Sequence, residues 1–280
     1  MPMPNDRIRA FHDLHRAGCF VMPNPWDVGA ARLLAQLGFP ALATTSSGFA
    51  WSLGRPDNHV TVEEALAHLR AMSAATDLPL NADFEGGFAT EPDAVGANVM
   101  LATDTGIAGL SIEDSTGDAA DPLYDFALAV DRIRAARQAI ESSGTDVLLT
   151  GRSEGFIVGR ADLHETIRRL TAYAEAGADC LFAPGLKSAS DIAAVVAAVA
   201  PKPVNVLVGS DFTTVDELAQ LGVRRISVGG ALARTAWGAF VDAAKEIRER
   251  GTFSRLSAAV PFASMDGLFA NPASPASSLR

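Results

Sequence analysis

Four stretches of the chain repeat one another: LGFPAL at residues 37–42, TGIAGL at 105–110, AGADCL at 176–181 and LGVRRI at 221–226. Each reads the same way. A helical run ends, a glycine (Gly38, Gly106, Gly177 or Gly222) takes the left-handed position that terminates it, and a short apolar run begins. Working outward from these, short β-branched or apolar runs recur at residues 19–22, 41–44, 78–82, 109–112, 146–150, 180–183, 204–208 and 225–228. Stretches of helical period separate them, over 27–37, 62–75, 91–104, 125–142, 161–176, 188–199, 214–221 and 232–250, and a further helix over 5–17 leads in. Asp27, Thr61 and Ser188 stand where an N-cap would. Eight strand–helix units with right-handed crossovers close most simply into a (β/α)8 TIM barrel of the α/β class, with an extra N-terminal helix. An open doubly wound sheet is the alternative, but no G-x-G-x-x-G follows the first strand.

The length agrees. A barrel of about 250 residues absorbs nearly all of a 280-residue chain. The expected organisation is a single barrel over residues 1–255 and a C-terminal extension over 256–280. Val260-Pro261-Phe262 and Leu268-Phe269 make the extension an exposed apolar segment suited to a partner subunit, and from Asn271 onward its Pro/Ser/Ala composition reads as disordered.

The chain carries 23 Lys+Arg against 33 Asp+Glu, a formal charge of −10, so it lacks the basic face that nucleic-acid binding needs. Apolar runs such as 192–200 are far shorter than the roughly 20 residues that span a bilayer. Residues 1–9 are polar and lack the apolar core of a secretion signal. The expectation is a cytoplasmic protein, with Cys19 and Cys180 as reduced core thiols.

Barrel active sites form at the C-terminal ends of the strands. That rule selects Thr44-Thr45-Ser46-Ser47-Gly48 after the second strand, Asn81-Ala82-Asp83-Phe84-Glu85 at the third, Glu113-Asp114 at the fourth and Arg152-Ser153-Glu154 at the fifth. Asp83, Glu85 and Glu113 would lie close together, and like charges in a cleft repel unless a cation neutralises them. Oxygen-only ligands select Mg2+ or Mn2+ over zinc, and the five histidines are scattered. Arg152 beside such an ion would clamp a carboxylate or phosphate. The Ser46-Ser47-Gly48 turn adds hydroxyls and backbone N–H groups for an anion, and Gly229-Gly230 is similar to a barrel phosphate site. Trp26 and Trp51 flank the expected mouth. Asp114 reads as a cap, and Glu154 either orients Arg152 or is solvated.

These residues, in this order, resemble the isocitrate lyase/phosphoenolpyruvate mutase superfamily, in its phosphonomutase-like branch. The matching pieces are NPWDVGAARLLAQLGFPALATTSSG (24–48), GRPDN (54–58), LNADFEGGF (80–88), GLSIEDSTGD (109–118) and GRSEGF (151–156). The resemblance implies a (β/α)8 barrel whose last helix is usually swapped between subunits of a dimer or tetramer, Mg2+ (or Mn2+), and a 2-oxo-acid or enolate intermediate. By motif, Thr45, Ser47, Gly48 and Arg152 would hold the substrate carboxylate. Asp83 and Glu113 would hold the metal, and Asp57 would approach the reacting group.

Two departures shape the expected chemistry. Asn81 stands where the family usually has the first aspartate of its Asp-x-Asp pair; its amide oxygen is a weaker donor, which Glu85 would supplement. The stretch STGDAADPLYD (115–125) replaces the Lys-x-Cys-Gly-His loop of the isocitrate and methylisocitrate lyases, so their general acid is missing. The leading expectation is therefore a Mg-dependent lyase-type enzyme that breaks a C–C or P–C bond next to a small 2-oxo acid, such as an oxaloacetate-type decarboxylase. Alternatives are a phosphonopyruvate/phosphoenolpyruvate-type mutase or hydrolase, a methylisocitrate-like lyase, a Schiff-base aldolase on Lys187, Lys202 or Lys245, and a non-catalytic 2-oxo-acid-binding barrel.

Overall fold

A computed structural model describes residues 4–270; the Pro/Ser/Ala-rich stretch expected to be disordered lies outside them. The strands are β1 (Phe20–Met22), β2 (Leu42–Ala43), β3 (Leu80–Asp83), β4 (Gly109–Glu113), β5 (Leu148–Arg152), β6 (Cys180–Phe182), β7 (Val204–Leu207) and β8 (Arg225–Ser227). All pair in parallel, in the order β1-β8-β7-β6-β5-β4-β3-β2. At the seam the Ala43 amide donates to the Pro23 carbonyl at 3.1 Å. Asn24 adds a second tie there: its Nδ2 donates to the Thr44 carbonyl at 2.8 Å, while its Oδ1 accepts from the Val228 and Gly229 amides at 2.9 Å each. One side chain thus joins the mouth ends of three strands, and the eight-stranded sheet is a nearly closed (β/α)8 barrel.

The helices are α1 (Pro4–Arg16), α2 (Val28–Gln36), α3 (Ser46–Ser52), α4 (Val62–Ala75), α5 (Pro92–Thr103), α6 (Phe126–Ser142), α7 (Leu163–Glu175), α8 (Ala189–Val199), α9 (Val215–Gln220), α10 (Ala231–Arg250) and α11 (Phe262–Ala270), with a short 3-10 turn at Ser254–Ala258. Asp27, Thr61 and Ser188 cap their helices through side-chain oxygens, as their positions predicted. The four repeat glycines hold φ between +83° and +107°, which costs a side chain-free residue little. Three elements escaped the sequence reading: α3, the 3-10 turn and α11.

Alternation along the strands separates two environments. Outward residues such as Leu110, Ile112, Leu149, Val206 and Ile226 are buried against the helices. Inward residues are mostly polar: Asn81 and Asp83, Ser111, Thr150 and Arg152, Asn205, Arg225 and Ser227. A barrel filled by branched aliphatic layers is the usual arrangement; this one encloses a polar cavity of about 400 Å3 instead. Helix α1 stops its lower end. Phe11 lies over Gly109, where a Cβ would come within 2.6 Å of the Phe11 ring, so only glycine admits the plug.

Helix α10 buries only Ala233 and Glu246, so it is not packed along the barrel wall as a last barrel helix would be. Phe240, Phe253 and Phe262 are exposed (Phe262 84%). Leu268, expected to be exposed, is instead buried: Gln36 on α2 donates to its carbonyl at 2.6 Å, and Phe269 lies beside Gly29.

Candidate active site

Asp83, Glu113 and Arg152 are the last residues of three adjacent strands, so pairing in register brings them together. Glu113 and Arg152 are direct partners across β4 and β5. The Arg152 guanidinium sits among the acids: one terminal nitrogen lies 3.1 Å from Asp83 Oδ1 and 3.1 Å from Glu113 Oε2, and Nε lies 2.6 Å from Glu154 Oε1. Its other terminal nitrogen makes no hydrogen bond among the described residues, and Arg152 lines the cavity.

A buried scaffold positions this group. Asp114 Oδ1 accepts from the Glu154 amide at 2.7 Å. Its Oδ2 accepts from Tyr173 Oη at 2.6 Å and from Arg169 at 3.1 Å, both on α7. Asp114 is therefore the hub of a buried network, not the cap that the sequence suggested. Glu154 is buried and orients Arg152, which settles the choice left open for it.

Five carboxylates, Asp57, Asp83, Glu85, Glu113 and Glu154, act on one another and on Arg152 across the mouth. Burial pushes Glu113 well above the usual carboxylate range and also raises Glu154. Burial, then Asp83 and Asp57, push Glu85 up to about 8. Burial disfavours the charge on Arg152, but Glu113, Glu154 and Asp83 outweigh it and hold the guanidinium charged. Carboxyl groups outnumber the guanidinium that they face, and their oxygen donors suit a hard divalent cation. The residues fit such an ion in chemistry. No group of three His, Cys, Asp or Glu side chains converges on one point among the described residues, because Arg152 lies between Asp83 and Glu113.

The other expected residues are distributed around this centre. Asp57, on the loop after α3, lines the cavity with Asp83, Thr45 and Ser47. Glu85 takes a left-handed φ of +48°, uncommon for a side chain-bearing residue, and faces a small gap beside Phe49 and His68 instead of the main cavity. Asn81 Oδ1 is buried without a hydrogen-bond partner and turns toward Gly109 and the Phe11 plug. The Ser46-Ser47-Gly48 turn is the first turn of α3. Its Ser46 amide donates to Asp83 Oδ2 at 2.9 Å, so this N–H holds a protein carboxylate. Thr45 caps α3, with its Oγ1 3.1 Å from Ser47 Oγ. The Gly229 amide is engaged by Asn24, which removes one donor from the expected phosphate site. Trp51 lines the cavity and Trp26 packs against Gly48. Lys187 and Lys245 are exposed, and Lys202 lies outside the cavity. The Schiff-base alternative therefore fails for want of an interior amine.

Asn24, Thr150, Asn205, Arg225 and Ser227 were missed. For the last four the available signal was a polar residue at every second position of a strand that parallel pairing buries on both faces; Asn24 lies beyond the end of β1 and carries no such signal.

The family profile described as phosphoenolpyruvate phosphomutase matches residues 11–248. The chain belongs to the phosphoenolpyruvate mutase/isocitrate lyase superfamily. A solved structure of a candidate lyase/mutase from Burkholderia cenocepacia J2315 is 48% identical, with a TM-score of 0.93 over 95% of this chain and 97% of that one. An oxaloacetate decarboxylase from Bradyrhizobium diazoefficiens is 30% identical over 239 residues, covering 83% of this chain and 81% of its own. The structure of an oxaloacetate acetylhydrolase in complex with its product oxalate is 25% identical, with a TM-score of 0.85 over 97% of this chain and 95% of that one. Superfamily members are C–C and P–C lyases and mutases and generally use a divalent metal. No helix of the described residues is long and apolar enough to cross a membrane.

Proposed function

We propose that the chain is a divalent-metal-dependent lyase-type enzyme that breaks a C–C or P–C bond next to a small 2-oxo acid, with an oxaloacetate-like dicarboxylate as the leading substrate. The observation that carries this reading is the Arg152 guanidinium. Its Nε and one terminal nitrogen are held by carboxylates, and its other terminal nitrogen is left to the cavity. The relatedness to an oxaloacetate decarboxylase and to an oxaloacetate acetylhydrolase supports the substrate class.

Arg152, Thr45, Ser47 and Gly48 are assigned to the substrate carboxylate and oxo group, and Asp57 to the reacting end. Asp83 and Glu113 would hold Mg2+ or Mn2+, which supplies Lewis-acid polarisation of the oxo-acid oxygens when bound. As the bond from C3 to the departing carboxylate breaks, its electron pair moves toward C2 and charge builds on the C2 oxygen. Arg152, fixed by Glu154, stabilises that charge without reorienting. Carbon dioxide leaves, and a solvent proton at C3 completes the 2-oxo product. Such a reaction needs an electron sink but no acid at the leaving group. This matches the 115–125 stretch, which has no Cys, Lys or His.

Decarboxylation of oxaloacetate, measured with and without EDTA against the metal-only background, tests the proposal. Activity restored by Mg2+ or Mn2+ after chelation is expected; full activity in EDTA overturns the metal assignment. Turnover of phosphonopyruvate in place of oxaloacetate would favour the mutase or hydrolase alternative. We also assign residues 1–255 to the catalytic barrel, and the exposed apolar face of α10 with Phe253 and Phe262 to contact with a second copy of the chain. Sedimentation showing monomers at all concentrations overturns that assignment.

A further inference from the structure

A second guanidinium lies deeper in the same cavity. Arg225 opens β8, points inward and is only 1% exposed. Its Nε donates to Asn205 Oδ1 at 2.9 Å, and one terminal nitrogen donates to Thr150 Oγ1 at 3.0 Å. The other lies 3.3 Å from His15 Nε2. Every one of these partners is neutral. Burial and the Arg225 charge hold His15 down to about 3, and its Nδ1 faces the Phe11 carbonyl at 2.7 Å, which places the ring proton there and leaves Nε2 as an acceptor. No carboxylate pairs with Arg225 among the described residues. A guanidinium has five N–H donors; three of Arg225's are engaged.

Arg132 shows what a purely structural buried arginine looks like in this fold. It donates to the backbone carbonyls of Gly86, Ala89 and Thr90 and stacks on the Tyr124 ring, and it borders no cavity described above. Arg225 is held by side chains on the inner faces of two strands, β5 and β7, and on the plug helix, beside a space about 400 Å3 in size. Taking a charge out of water without a partner is costly, so an anion at this point offsets the cost of burying the guanidinium.

We infer that Arg225, with Asn205 and Ser227, is a recognition site at the cavity floor for the second anionic group of a doubly charged acid whose oxo-acid carboxylate lies at Arg152. This rests on the proposed mouth site and deepens it by naming the residues that read the acid's second charge. Arg225 then acts as a specificity-determining residue for the acid's second charge.

Succinate and butyrate differ by one carboxylate and serve as probes, with binding to the full chain followed by calorimetry and thermal shift at matched ionic strength. The expectation is that wild type prefers succinate by about tenfold or more, the scale of one charge-assisted contact in a buried site. Arg225→Gln, folded by circular dichroism, loses that preference while its butyrate affinity is unchanged, and Arg225→Lys recovers part of it. A folded Arg225→Gln that still prefers succinate overturns the proposal. Should Arg225→Gln fail to fold, the wild-type measurement still decides: equal stabilisation by both probes overturns it. Failure of the mouth reading is a separate outcome, in which Arg152→Lys leaves the affinities for both probes unaltered.

Discussion

Two of the three arginines that line the cavity, Arg152 and Arg225 (the third is the exposed Arg234), live under opposite conditions. Arg152, at the mouth, is crowded by Asp83, Glu113 and Glu154, carboxyl groups that outnumber it. Arg225, at the floor, meets only Asn205, Thr150 and a neutral His15. The first is a cation that the fold has over-neutralised, leaving acids to take up a further positive charge. The second is a cation that the fold has left unneutralised. The barrel therefore sets carboxyl groups around the guanidinium at its opening and only neutral partners around the guanidinium beneath, and a small acid with two anionic ends and a cation at one of them would span the two.

The largest effect should follow from removing the charge at the mouth. Arg152→Met leaves three partly or fully buried carboxylates without their cation. Breaking a buried pair on one side costs about 3–5 kcal/mol. Urea denaturation should show a loss of that size, and decarboxylation should fall to background; near-wild-type stability would show that the acids are neutralised by proton uptake alone. Asp83→Ala comes next. It removes the carboxylate shared by Arg152 and the Ser46 amide, and calorimetry should show loss of metal-dependent oxo-acid binding in a protein that still melts cooperatively. Retained activity in this variant breaks the proposed mouth site altogether.

A smaller effect is expected from Glu154→Gln, which preserves shape and one acceptor but removes the charge that orients Arg152. Turnover should fall about ten- to a hundredfold, the scale of a lost charge-assisted contact, while KM for the acid changes little. An equal fall in binding would mean that Glu154 shapes the ground state. The smallest effect belongs to the floor. His15 has a folded-state value of about 3 against about 6.5 for a free histidine. Between these values the unfolded chain binds a proton that the folded chain refuses, so stability rises with pH across the window and is complete above about 6.5. The slope attributable to one such group is at most about 1.4 kcal/mol per pH unit. His15→Gln should flatten the stability profile between pH 4 and 6; an unchanged profile would show that His15 is not the neutral partner of Arg225.

The two sites also differed in how far the sequence disclosed them. Asp83, Glu113 and Arg152 each end an apolar run, and the rule that barrels keep their chemistry at strand C-termini selects them without a structure. Arg225 stands inside the run RRIS, where its charge looks like an edge residue, and its partner His15 is 210 residues away along the chain. Nothing local marks either as interior. Asp114 and Glu85 show the same limit from the other side. Both belong to the selected acidic motifs, yet Asp114 turns into the α7 network and Glu85, at positive φ, turns away from the cavity.

The sequence by itself determined the eight-unit barrel, its helix caps and terminating glycines, and the set of residues at the mouth. These follow from periodicity and from the conformational preferences of single residues, which act within a few positions of the chain. The tertiary structure alone decided which way the alternate side chains of eight curved strands converge. That is why it places Arg152 among three carboxylates, leaves Arg225 with none, lines the interior with polar groups, and sets α10 off the barrel wall. Closure of the sheet brings together groups with no local signal of one another, and at those short range, poorly solvated distances electrostatics are strong enough to set each group's charge and orientation.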